Sequence, residues 1–373
     1  MNPEEFNVAM VNALISNGEL TDKAWRAALL AVPRHLFVPA VAWAEPDDAP
    51  GYLIDRESNP DAWWKAAYAD HAIITQFDDG ATEISKGPGR YTSSLSAPGV
   101  VLDFLELLGA DTNDRVLEVG TGPGWTAGLL SHRVGEECVT SIEIDEEVFS
   151  TAVGNLREVG YRPHLVRSDG GRGWARDAPY DRVHVTCGVF EVPYEWVRQT
   201  RPGGVIVLPW MPRYEPGYQL RLSVGQHGTA SGNFTEYAGY MLLRSQRAAS
   251  PPLFEDDFRY RPTEIDPVTV FRAGYGADMA IAGMIPDITA KVDRENDFQT
   301  WLWTGDSKAY VSGSEVAHVG PRNLWEEIER AFSQWTEWER PELSRFGMCV
   351  TPVGQYVWLD SPDNPVAPPE PKR

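Results

Sequence analysis

The sequence predicts an open α/β fold with a mainly parallel sheet, and three observations predict it. An apolar strand at 115–119 runs into the glycine turn Gly120-Thr-Gly-Pro-Gly124. A helix at 125–133 opens directly behind the turn, and a second apolar strand at 138–144 ends in acids. Strand and helix patterns then keep alternating, with strands at 163–167, 182–186 and 204–209 and helices at 146–159 and about 194–200. The first segment is one nucleotide-binding βαβ half. Regular alternation implies a parallel sheet covered by helices on both faces. Such sheets bind ligands beyond the carboxyl ends of their strands.

The remaining elements follow in chain order. Residues 3–17 and 22–31 read as amphipathic helices: Phe6, Met10, Ala13 and Leu14 share a face, Thr21 or Asp22 can cap the second, and Pro33 stops it. The stretch 44–64, rich in Pro, Asp and Trp, reads as an irregular loop or small insertion. A glycine-bearing segment at 80–98 leads into a helix reaching about Leu108, and Asp145 caps the 146–159 helix. Alternation at 218–225 and an apolar run at 233–243 predict an antiparallel pair closing the sheet edge. Ala248 to Asp257 marks a boundary. Beyond it the chain reads as α+β, with strands at 288–292, 298–303, 309–312, 315–319, 347–351 and 356–359. A helix at 323–338 has Leu324, Ile328, Phe332 and Trp335 on its apolar face. The expected organisation is therefore 1–110 (N-terminal helices and active-site loop), 111–247 (cofactor domain), 248–360 (α+β extension) and 361–373 (flexible tail).

The 373 residues carry a formal net charge of −21, which argues against nucleic acid and anionic membrane surfaces as partners. Cys138, Cys187 and Cys349 are far apart and odd in number, without metal or disulfide spacing, so no metal is expected and the compartment reads as cytoplasmic. The start lacks a signal-peptide pattern, and no run approaches the roughly 20 apolar residues of a membrane helix.

The glycines choose between cofactors. A dinucleotide fingerprint would place its third glycine at position 125, which is Trp125; the third glycine is Gly124. The resulting G-x-G-x-G loop, with Glu118 in the preceding strand end, resembles the S-adenosylmethionine loop of class I methyltransferases. Glu118 would meet the ligand's ammonium, the helix N-terminus its carboxylate, and Glu143 both ribose hydroxyls. The alternative is an ordinary βα turn without a ligand; Glu118 and Glu143 in register argue against it.

Further motifs narrow the class. Val32-Pro-Arg-His-Leu-Phe-Val-Pro39, Tyr68-Ala-Asp70, Leu95-Ser-Ala-Pro98, Ser168-Asp-Gly170, Ala178-Pro-Tyr-Asp-Arg-Val-His-Val185 and Arg201-Pro-Gly-Gly204 with Leu208-Pro209 occur in the order of one family. On these motifs residues 5–245 resemble the protein-L-isoaspartate O-methyltransferases. The resemblance implies a seven-stranded, Rossmann-like class I methyltransferase sheet, S-adenosylmethionine as cofactor and S-adenosylhomocysteine as product. It also implies methyl transfer to a carboxylate of a peptide or protein partner. It marks Ser96 as the active-site serine. Glu118, Gly120, Thr121, Gly122, Gly124, Glu143 and Ile144 become cofactor contacts, and Asp169 with Gly170 takes the adenine. Ser94, Lys86 and Arg90 fall on the substrate side.

The long loop before Ser96, the 44–64 segment and the C-terminal extension depart from the housekeeping repair enzymes. They resemble relatives associated with ribosomally made, modified peptides of the lanthipeptide and graspetide type. The first expectation is thus an aspartate of such a peptide, methylated and then closed to an aspartimide. The alternatives are repair of L-isoaspartyl residues in damaged proteins, and a catalytically inactive binding protein of the same fold. Lys86 and Arg90 are either the positive charge that steers the anionic substrate or solvated loop charges. His184 reads as a packed strand histidine rather than a base, and the tryptophans at 301, 303, 325, 335 and 338 as core or as a peptide surface. The sequence leaves the oligomeric state open.

Overall fold

A computed structural model describes residues 2–214, 216–247, 258–293 and 298–367. The chain forms two compact units, residues 1–187 with 195–208, and residues 188–194 with 209–373. The boundary expected at 248–257 lies outside the described residues, as does the tail beyond residue 367.

In the first unit α1 (Pro3–Ser16) and α2 (Lys23–Ala31) match the two expected amphipathic helices. Asn2 and Glu5 form a capping box on α1, and Asp22 caps α2 through the Ala24 N–H. The 44–64 segment is not irregular. It contributes most of the hairpin β1 (Val41–Glu45) and β2 (Tyr52–Asp55), and then α3 (Pro60–Ala67). The Pro and Asp residues that suggested a loop sit at the hairpin tip and at the N1 position of α3, where both are compatible with regular structure. β3 (Ala72–Phe77) and β4 (Tyr91–Leu95) complete an antiparallel sheet in the order β2-β1-β3-β4. β4 delivers the chain to Ser96, and α4 (Pro98–Leu108) starts two residues later.

The parallel strands are β5 (Val116–Val119), β6 (Val139–Glu143), β7 (His164–Arg167), β8 (Tyr180–Val185) and β9 (Thr200–Trp210). Between them run α5 (Trp125–Val134), α6 (Glu146–Glu158) and α7 (Tyr194–Gln199). The order β9-β8-β5-β6-β7 reverses direction at β5. The crevice beyond the carboxyl ends of β5 and β8 is therefore the switch point at which such sheets take ligands. β5 and β6 are buried along their whole length, as a strand covered on both faces must be.

The second unit holds β10 (Tyr218–Val224) and β11 (Ala230–Tyr237), the expected antiparallel pair with its second strand starting earlier than predicted. The α+β extension supplies β12 (Arg259–Pro262), α8 (Pro267–Phe271), α9 (Tyr275–Met284), β13 (Thr289–Asp293), β14 (Gln299–Thr304), β15 (Ser307–Ser312), β16 (Glu315–Val319), α10 (Leu324–Glu337), β17 (Phe346–Thr351) and β18 (Gly354–Leu359). β12, α8 and α9 lie in a stretch where no element was expected. The α9 sequence is almost wholly apolar and buried, and its one charged residue, Asp278, is buried too, so it offers no polar face to read.

Strands β12 to β16 form an antiparallel sheet in the order β12-β16-β15-β14-β13. β17 pairs with β11 and β18 with β17, lengthening the hairpin into a four-stranded ladder. Leu324, Ile328, Phe332 and Trp335 of α10 are buried, as their spacing predicts. Residues 361–367, expected to be a flexible tail, turn back along β18: Val366 N–H donates to the Val357 carbonyl at 2.8 Å. Among the described residues no helix is long and apolar enough to cross a membrane.

One buried carboxylate organises the start of this extension. Glu329 is 3% exposed and pairs with Arg261 at 2.9 Å. It also accepts from Glu264 N–H (2.6 Å), Ile265 N–H (3.0 Å) and Trp325 Nε1–H (2.9 Å). Glu329→Ala would strand all four donors, so it should lower the unfolding free energy by about 3–5 kcal/mol, read as a reduced urea midpoint.

Candidate functional site

The glycine turn joins the carboxyl end of β5 to α5. Gly120, Gly122 and Gly124 all hold positive φ, at 96°, 54° and 99°. All three also face close neighbours. A Cβ on Gly120 would lie 2.5 Å from Thr186 Oγ1, and one on Gly122 would lie 3.2 Å from the Ser94 carbonyl oxygen. The sequence suggested that these glycines make way for a ligand. In the structure Gly120 faces Thr186, and Gly122 faces the strand end that carries Ser94. Gly124 packs against Leu156 of α6, so its place is structural.

Glu118, near the end of β5, is fully buried. Ser141 Oγ donates to its Oε2 at 2.5 Å, and Thr121 Oγ1 lies 2.6 Å from the same Ser141 hydroxyl. The other carboxyl oxygen, Oε1, is buried without a partner among the described residues. Burial pushes Glu118 up to about 8; the Ser141 hydrogen bond opposes this and the nearby Glu143 charge adds to it. A neutral carboxyl with an orphaned oxygen fits an incoming cationic group, because such an atom is costly to leave unmatched.

Glu143 ends β6 and accepts three backbone N–H groups, from Gly122 (3.0 Å), Ile144 (2.8 Å) and Asp145 (2.9 Å). Burial raises its pKa and those hydrogen bonds oppose the rise. Its Oε2 takes one donor only, so a lone pair remains for a hydroxyl. Ile144 itself is 38% exposed beside it. Asp169 follows β7 and accepts from Gly171 N–H at 3.0 Å, which holds the Gly170 turn. Trp196 Nε1–H donates to the buried Gly170 carbonyl at 2.8 Å. The first turn of α5 has no side-chain cap, so its amides are available to an anion. Orphaned acid, spare acceptor and open helix end together fit an amino-acid-bearing nucleoside such as the cofactor expected for this loop.

The structure brings Glu118, Thr121, Gly122, Glu143 and Ser94 into one neighbourhood. Ser96 lies just past β4, half-buried, and its hydroxyl has no partner among the described residues. Lys86 and Arg90 are exposed and each faces a local acid, Glu83 at 3.2 Å and Asp79 at 3.1 Å. Those ion pairs give both cations a local partner other than an incoming carboxylate.

His184, in register with Glu118, is buried with both ring nitrogens unpartnered and Phe104 edge-on, 6.4 Å away. Burial holds it down to about 4, so it is a neutral packed histidine, the preferred reading. The Cys187 thiol is pushed up to about 12 by burial, with Glu143 and Asp169 adding to it. Among the described residues no cluster of His, Cys, Asp and Glu is placed to hold a metal ion. Sequence reasoning did not single out Ser141, Thr186, Asp70 or Arg34. Asp70 and Arg34 stood inside quoted motifs, whereas Ser141 and Thr186 are ordinary strand-end hydroxyls whose role appears only when β5, β6 and β8 are placed side by side.

The description of the protein-L-isoaspartate(D-aspartate) O-methyltransferase family matches residues 53–240, just over half of the chain. A protein-L-isoaspartate O-methyltransferase of Opitutus terrae is 32% identical over 220 residues, covering 59% of this chain and 78% of the relative. One of Ignicoccus hospitalis is 29% identical over 256 residues, covering 68% of this chain and all (100%) of the relative. A solved structure described as a protein-L-isoaspartate O-methyltransferase superposes with TM-score 0.56 at 20% identity, over 95% of this chain and 100% of that one. Coverage of 95% must include most of residues 248–360. The chain belongs to the protein-L-isoaspartate(D-aspartate) O-methyltransferase family: it is a protein carboxyl O-methyltransferase of class I fold with S-adenosylmethionine as its methyl donor.

Proposed function

We propose that the chain methylates the free carboxylate of L-isoaspartyl residues in peptides and proteins, as a repair enzyme does. The observation that carries this reading is the close approach of the Ser94 carbonyl to Gly122, which sets the strand end leading to Ser96 against the cofactor loop. The relatives bear the isoaspartate description. They lend no support to the first expectation, an ordinary aspartate of a modified peptide leading to an aspartimide. Residues 1–110 are taken as the substrate side and 111–247 as the cofactor side, in a cytoplasmic protein.

When bound, the cofactor supplies an electrophilic methyl on a sulfonium. Glu118 would pair with its ammonium, the α5 amides with its carboxylate, Glu143 with the ribose, and Asp169 with the adenine. The substrate carboxylate, with a pKa around 4, is ionised near neutrality and needs no base. Ser96 Oγ–H would donate to one carboxylate oxygen and orient the group, leaving the other free to accept the methyl. No proton moves in the transfer, which agrees with a neutral, packed His184.

Three outcomes test this. The enzyme offered an isoaspartyl peptide and its aspartyl twin should add one methylene mass to the first only, seen by mass spectrometry; esterification of the twin alone would restore the modified-peptide reading. Ser96→Ala should cut kcat roughly tenfold or more and leave the S-adenosylhomocysteine Kd nearly unchanged. Glu118 should make cofactor binding pH-dependent. Its carboxyl is protonated below about 8 in the ligand-free protein, and the ammonium prefers it ionised. Binding should therefore release a proton and tighten as pH rises from 6 to 8, by up to about tenfold per unit. The same raised pKa makes ligand-free stability fall as pH climbs from the ordinary carboxylate range to about 8. Glu118→Gln should flatten both dependences while weakening binding, as calorimetry in buffers of different ionisation heat and thermal melts would read.

A further inference from the structure

We infer that Arg34 is a positioning residue for the methyl transfer, fixing the Ser96 peptide against the helix that starts the cofactor site. This rests on the proposal that Ser96 stands at the reacting carboxylate. Arg34 opens the one-turn helix Arg34–Phe37 and is 0% exposed. Among the described residues its hydrogen bonds all go to carbonyls: Nη1 donates to Ala67 at 2.8 Å, and Nη2 donates to His71 and to Ser96, both at 3.0 Å. Among the described residues no carboxylate lies within ion-pair distance; Asp70 acts on it only at longer range. The guanidinium also lies over the Trp125 ring, 5.3 Å from its centre, and Trp125 Nε1–H donates to the Val32 carbonyl at 3.1 Å.

A buried cation held by carbonyls alone is an expensive way to fill space. What it achieves is geometric. Leu95 is tied by its pairing with Ile73, and Gly99 N–H by Asp70 Oδ1 at 2.8 Å. Between those anchors the Ser96 carbonyl is held by Arg34. The same side chain touches Trp125, the first residue of α5 behind the glycine turn. One planar fork thus references the serine to the cofactor helix and to the end of α3 together. An ammonium has the charge but not the fork. Arg34 also leaves its positive charge uncancelled by a contacting acid, unlike Lys86 and Arg90.

The test compares wild type with Arg34→Lys and Arg34→Gln as full-length proteins saturated with S-adenosylhomocysteine. Hydrogen exchange over residues 95–99 should quicken roughly tenfold in Arg34→Lys, with the parallel strands unchanged. In turnover with an isoaspartyl peptide, kcat should fall at least about tenfold while the cofactor Kd moves less than about threefold. Arg34→Gln, which also loses the charge, should raise the peptide KM further. In a Ser96→Ala background Arg34→Lys should cost little more, since the group it positions is gone. Unchanged exchange at 95–99, uniform loosening of the whole unit, or additive losses in the double variant would each overturn the inference. Wild-type inactivity toward the isoaspartyl peptide would instead count against the substrate reading, and the exchange data would still decide the role of Arg34.

Discussion

Everything at this site depends on how closely two backbones approach: the glycine turn after β5 and the strand end at Ser94. A Cβ on Gly122 would meet the Ser94 carbonyl oxygen at a tight 3.2 Å. This approach places the serine-bearing segment of one sheet against the cofactor turn of another, and methyl transfer to a carboxylate asks for little more than such alignment. Thr186 closes the turn from the opposite side, and Glu143 fixes it through the Gly122 amide. The turn is thus held from three directions before any ligand arrives, which is what preorganisation means for a loop.

Charge is handled by burial more than by pairing. The chain is strongly acidic, with a net −21, yet its cofactor side presents two acids, Glu118 and Glu143, both desolvated and both raised in pKa. Glu118, raised to about 8, is neutral near pH 7 and so does not repel an anion there. The exposed cations on the 78–90 loop each have a local acid, whereas the buried guanidinium of Arg34 is held by carbonyls.

Much of this could be read from residue order. The strand–turn–helix at 115–133, its second strand and the acids at 118 and 143 stand in the structure where periodicity placed them, because a parallel βαβ unit writes both its periods into sequence. The α10 face was legible for the same reason. The 44–64 hairpin and α3 were not, since Pro and Asp mark helix starts and hairpin tips as readily as loops. Buried α9 has no polar face and so no period. At the site, residues that act through side chains at strand ends were visible. The neighbours that crowd the turn were not: Thr186, which faces Gly120, is an ordinary strand-end hydroxyl in the sequence. Lys86 and Arg90 were near Ser96 along the chain, but ion pairing with adjacent acids depends on loop geometry that spacing does not encode.

The pairing of β17 with β11 has a consequence for how this chain can be divided. Ala230 to Asn233 bond to Gly347 through Val350, more than a hundred residues later. A fragment ending at residue 247 would contain every motif of the family, yet would leave β11 with a bare row of amide and carbonyl groups. Open edges of that kind invite other chains to add to them. The terminal strands therefore belong to the solubility of the methyltransferase portion itself, and shortening the gene at the motif boundary would trade an apparently dispensable appendage for an aggregation-prone sheet.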